Sequence, residues 1–141
     1  MTQTDDQIRA ILQNSKVIAL VGASMNPDRP SYGVMRFLLS KGHRVIPVNP
    51  GHEGQVLHGQ TIYATLKDIP KDAAVDLVDV FRASDAVVPI VEQALADLPQ
   101  LRTIWLQLGV QSAAGADLAQ AHGVTMVQNR CPAIEYPRLG L

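Results

Sequence analysis

The chain has 141 residues, 12 Lys+Arg against 13 Asp+Glu for a net charge of −1, and 47% apolar residues. That length suits one domain with one core, so a single domain over residues 1–141 is expected. A charged fraction of 18% speaks against disorder, and the lack of a basic excess, with only 4% aromatic residues, speaks against a nucleic-acid partner.

Thr4-Asp5-Asp6-Gln7 has the pattern of a capping box and opens a short helix to about Gln13. Lys16 to Val21 is a run of β-branched and aliphatic residues, the signature of a strand buried on both faces. Val34, Phe37 and Leu38 place a helix over Gly33 to Lys41, stopped by Gly42. Arg44 to Val48 is a second strand, and Pro47 within it favours a ladder-free or edge position. Asn49 to Ile62 is turn-rich, and Leu66 to Ile69 forms one helical turn. Val75 to Val80 is a third strand, Ser84 caps a helix to about Asp97, and Thr103 to Gln107 is a fourth strand. Ser112 to Ala121 is a helix closed by Gly123, Val124 to Val127 a fifth strand, and Asn129 to Leu141 a short irregular or helical tail.

Alternating strands and helices imply right-handed crossovers and an α/β, doubly wound, mainly parallel five-stranded Rossmann-like sheet with helices on both faces. Such sheets bind ligands outside the carboxyl ends of their strands, so the residues after each strand are the candidates. After strand one come Gly22, Ala23, Ser24 and Met25. Ser24 and Ser31 supply hydroxyls and Arg29 a charge, and the loop leads to the positive end of the next helix. Tyr32 and Gly33 complete this set, with Gly33 as the close-packing glycine of the helix; Ser24 and Pro27 occupy positions where a dinucleotide fingerprint needs glycine. After strand two, Val48, Asn49, Pro50 and His52 offer no carboxylate for a ribose diol, which speaks against NAD. After strand three, Phe81 is placed for an adenine or for the core, and Arg82 for a phosphate or for Asp79 or Asp85. After strand four, Gln107, Leu108 and Gly109 form a tip whose Gln107 can hydrogen-bond a ligand amide.

Met1 to Arg9 is too polar for the apolar core of a signal peptide, and no uncharged stretch has the length of a membrane span. The one cysteine, Cys131, permits no internal disulfide, so a cytoplasmic protein away from membranes is expected. Cys131 stands beside Arg130 and is a candidate nucleophile, although a single cysteine is more often a small buried apolar group. The four histidines have no zinc-site spacing, and no metal is expected.

Ile18 to Ser24, Arg29 to Gly33, Val45 to Gly51, Val78 to Arg82, Trp105 to Gly109 and Arg130-Cys-Pro with Glu135 to Arg138 closely resemble the small bacterial CoA-binding proteins. That family is a single Rossmann-like CoA-binding domain, similar to the N-terminal domain of the succinyl-CoA synthetase α subunit. The resemblance implies that Gly22 to Met25 meets CoA phosphates, that Val48 to His52 replaces a synthetase segment with lysine at the His52 position, and that Gln107 to Gly109 lies near the pantetheine arm. The synthetase's phosphorylated histidine belongs to a second domain, so its catalysis does not carry over. Binding of coenzyme A or a small acyl-CoA without catalysis is therefore expected. The alternatives are an acyl or thiol transferase using Cys131, an NAD(P)-binding redox protein, and a subunit whose site is completed by a protein partner or another copy.

Overall fold

The computed structural model describes residues 2–141. Five strands form one parallel sheet in the order β2-β1-β5-β6-β7: β1 (Val17–Val21), β2 (Arg44–Val48), β5 (Leu77–Val80), β6 (Thr103–Leu106) and β7 (Thr125–Val127). The expected α/β doubly wound architecture is present. β1 pairs with β2 on one side and β5 on the other, so the chain reverses its direction of winding between β1 and β5. The carboxyl ends of these two strands are the switch point where such sheets take ligands.

β2 is an edge strand, as Pro47 predicts. Along a parallel strand the N–H and C=O of one residue point the same way, and the next residue's point the other way. Val48 turns toward β1, where its carbonyl accepts from Gly22 N at 3.0 Å and Ala23 N at 3.2 Å. Pro47 turns outward, where its carbonyl accepts from Tyr63 N at 3.0 Å. The missing proline N–H therefore faces away from the sheet and costs no ladder bond.

Both faces of the sheet are apolar because both are covered. One face packs β-branched side chains such as Val78, Val80 and Ile104 against α3 (Val87–Asp97) and α4 (Ala113–Ala121). The other packs Ile18, Leu20 and Trp105 against α1 (Asp5–Asn14), α2 (Pro30–Ser40) and α5 (Pro132–Arg138). Trp105 is fully buried, and its indole N–H donates to the Arg130 carbonyl at 2.8 Å, so its one polar group is satisfied. The capping box at Thr4 and Gln7 forms as expected.

The structure differs from the sequence reading at several boundaries. α2 begins at Pro30, three residues before Gly33, because proline at the first helical position is preorganised there and lacks only an N–H that the helix would leave free. Gly33 is not a close-packing glycine: a Cβ built on it meets nothing within 4 Å. The third strand starts at Leu77, and Asp76 stands just before it. Ser84 opens a 3-10 turn ahead of α3 and accepts from Gln111 N instead of capping the helix. Within the turn-rich stretch lies a small antiparallel pair, β3 (Val56–Leu57) and β4 (Gln60–Thr61). The tail is helical, and it docks through Tyr136, whose hydroxyl donates to the Leu12 carbonyl at 3.2 Å and lies 2.5 Å from His43 Nε2. No helix is long and apolar enough to cross a membrane among the described residues.

Candidate functional site at the switch point

The cleft at the switch point depends on a missing side chain and a left-handed backbone at one position. Gly22 follows β1 with φ +90°, and a Cβ there would lie 2.6 Å from the Phe81 carbonyl oxygen. Only glycine lets the first loop cross so close to the end of β5. The stem of Arg82 lies over the same spot, with its Cδ 3.2 Å from where that Cβ would stand.

Two hollows share this floor. The first, of about 400 Å³, brings together Gly22, Ala23, Ser24 and Arg29 from the first loop, Asn49 from the end of β2, Phe81 and Arg82 from the end of β5, and Gln107 and Leu108 from the end of β6. The second, of about 490 Å³, continues past Gly22, Asn49, Phe81 and Arg82 to Val48, Pro50 and Thr65. The expected residues Met25, Tyr32, Gly33, His52 and Gly109 line neither. Met25 packs on the α2 side of the core, and Tyr32 sits edge-on to the His58 ring at 4.4 Å. Gly109 serves the β6 tip through its backbone, with φ +83°. The Ser31 hydroxyl expected from the sequence does line the first hollow, whereas sequence reasoning missed Pro30 and Val110 there and Val21, Ala64, Thr65, Leu66, Ile90 and Gln93 in the second. The early start of α2 brings in Pro30 and Ser31, and proline at the first helical position was the signal available for it.

Several candidates have structural duties. Asn49 donates from its amide to the Ala23 carbonyl at 2.7 Å and accepts from Gly51 N at 2.8 Å, so it ties the end of β2 to the first loop. Ser24 accepts from Asn26 N at 3.0 Å, which leaves its hydroxyl hydrogen free to donate. The two arginines differ from these. Arg82 pairs with neither Asp79 nor Asp85, and neither Arg29 nor Arg82 enters an ion pair among the described residues. Arg29 is also the N-cap of α2 and gives it no side-chain cap, so the positive end of that helix opens toward the first hollow.

Two buried polar groups near the hollow have no hydrogen-bond partner among the described residues: Gln107 Oε1, on its wall, and both oxygens of Asp79. Asp79 is fully buried on β5, in register with Leu20 and Trp105, and burial pushes its pKa well above the usual carboxylate range. It lies one residue pair beneath Phe81 and faces the same side. Cys131 is buried at the N-cap of α5, and the Arg130 guanidinium beside it is held by Glu135 at 2.7 Å. A hollow of about 430 Å³ between α1, α4 and β7 is lined by Gln3, Gln7 and Ala10 among others, and none of its described lining residues carries a charged side chain.

Fold and cleft together define a doubly wound domain with an anion-suited switch point. The chain belongs to the CoA binding domain family, whose model matches residues 16–137. The uncharacterized protein YneT of Bacillus subtilis (strain 168) is 34% identical over 126 residues, covering 89% of this chain and 88% of that protein. A solved structure from Thermus thermophilus, cell-free ID.343, is 35% identical with a TM-score of 0.89, covering 97% of this chain and 99% of that one. The dinucleotide-forming acetyl-coenzyme A synthetase 1 of Ca. Korarchaeum cryptofilum, in complex with phosphate and ADP, shares the fold at a TM-score of 0.63 and 24% identity; the match covers 83% of this chain and 26% of that one.

Proposed function

We propose that this protein binds coenzyme A or a small acyl-CoA in the switch-point cleft and performs no chemistry of its own. The observation that carries this reading is the convergence of two unpaired arginines, Arg29 and Arg82, with the uncapped start of α2 at one hollow. A net charge of −1 gives no global attraction for an anion, so the charge must be local. Arginine pairs with phosphate through two parallel bonds, and the helix end adds backbone donors. In this reading the phosphates lie on the first loop, and the pantetheine arm runs toward Gln107 and Leu108. The neutral end of β2, where Asn49 is already engaged on both sides of its amide, favours CoA over NAD.

Calorimetric titration with CoA, dephospho-CoA, NAD and NADP tests the proposal. CoA is expected to bind and NAD not to bind. Arg29→Ala is expected to weaken CoA roughly ten- to hundredfold, as for the loss of a charge-assisted pair of about 1.5–3 kcal/mol. The melting temperature of the ligand-free protein should hardly move, because Arg29 is exposed. Binding of NAD without CoA overturns the proposal. Unchanged CoA affinity in Arg29→Ala moves the phosphate contact to Arg82.

A further inference from the structure

The tail motif that begins at Asn129 lies outside both hollows, yet it grips the tip of β6. Gln107 to Val110 is a tight turn, closed by Val110 N donating to the Gln107 carbonyl at 2.9 Å, with Gly109 third at φ +83°. A positive φ at the third position is what type II turns require. The N–H of Gly109 donates to Asn129 Oδ1 at 2.7 Å, and Asn129 N donates back to the Val110 carbonyl at 3.2 Å. Asn129 has φ +56°, the left-handed conformation that asparagine tolerates better than most side chains. Its neighbour Arg130 is fixed on both sides: its N–H donates to the Leu106 carbonyl at 3.2 Å, and its carbonyl accepts from Trp105. The Arg130 guanidinium is locked to Glu135, which Arg138 also holds at 2.8 Å. The clasp on the turn is therefore anchored by an ion cluster and a buried indole.

The Gly109 N–H and the Leu108 carbonyl belong to one planar peptide unit and point in opposite directions. Holding the first fixes the second. We propose that Asn129 is a positioning residue: through the Gly109 N–H it sets the orientation of the Leu108–Gly109 peptide, and with it the placement of Gln107 and Leu108 toward the arm of the bound ligand. This rests on the CoA reading of the cleft. It adds a residue that touches no ligand and acts only on the part of the ligand remote from the phosphates.

The test compares CoA with adenosine 3′,5′-bisphosphate, which carries the phosphates without the pantetheine arm, by calorimetry on the full chain. Asn129→Gly keeps the left-handed backbone and removes the acceptor. It is expected to lower the ratio of CoA affinity to bisphosphate affinity about tenfold, with bisphosphate affinity within about twofold of the parent. Asn129→Asp keeps an acceptor in the same place and is expected to restore the ratio to within about threefold. A general loss of stability would weaken both ligands together and leave the ratio unchanged, which overturns the proposal, as does an unchanged CoA affinity in Asn129→Gly. Should the parent protein bind neither compound, the CoA reading itself fails, a different outcome from a parent that binds both while its ratio ignores Asn129.

Discussion

The two ends of the one sheet treat their aspartates in opposite ways. At the amino end, Asp76 accepts from Lys16 N at 2.9 Å and Val17 N at 3.1 Å, while its backbone carbonyl accepts from Arg102 N and Thr103 N at 2.9 and 3.1 Å. One residue thereby ties the starts of β1 and β6 to β5. Three positions on, Asp79 lies under the carboxyl end of the sheet, and among the described residues neither of its oxygens has a partner, nor does Oε1 of Gln107, the residue that follows β6. Arg29 and Arg82 stand unpaired over the same region. Buried polar groups in folded proteins are nearly always paired, so an end at which they are left open is organised for something other than stability.

The contrast breaks most sharply at Gly22. Gly22→Ala forces a side chain into a positive φ and against the Phe81 carbonyl at 2.6 Å. A loss of about 3 kcal/mol is expected, roughly a 10 °C fall in melting temperature, together with loss of CoA binding. Asp76→Ala acts on stability alone: unpaired backbone donors at the amino end should cost about 1–2 kcal/mol in denaturant unfolding, with CoA affinity unchanged. A change in affinity there would mean that the two ends are coupled.

An effect of the opposite sign is expected from Asp79→Asn. The buried carboxyl avoids most of the cost of a buried charge by keeping its proton, but that proton must be held where the unfolded chain releases it. Its folded pKa lies above its unfolded value, so the native protein loses stability as pH rises from about 4 up to that folded pKa. Asp79→Asn should therefore match the parent in unfolding at acid pH and become the more stable protein as pH rises. A gain that is constant with pH would show that Asp79 does not titrate in the fold.

The strands were legible because β1, β2, β5 and β6 carry apolar side chains on both faces, Asp79 being the exception on β5, and that pattern has few competitors. The candidate site's outline was legible through the rule that ligands meet strand ends, which picked out Gly22, Arg29, Arg82 and Gln107, residues that line one hollow. What stayed hidden depends on backbone conformations that ordinary side chains conceal. The β3–β4 turn uses His58 at φ +49° followed by Gly59 at φ +79°, a pair of positive angles usually advertised by asparagine and glycine together. Asn129 takes the same kind of conformation without a glycine beside it, so its clasp on Gly109 left no mark in the sequence. Residue spacing also says nothing of Asp79, since its lack of partners follows from what surrounds it in space.

Pro47 bears on how the folded molecule meets its own kind. An exposed sheet edge is a template on which a stray strand can lay itself down and begin an aggregate. On the β2 side such a strand finds no donor at Pro47, and the carbonyl there is already taken by Tyr63. The opposite side, β7, is screened more lightly, by the Gln3 amide donating to the Met126 carbonyl at 3.0 Å. A strand approaching the sheet would thus meet fewer engaged backbone groups at β7, on the far side of the sheet from the end of β2 that borders the cleft.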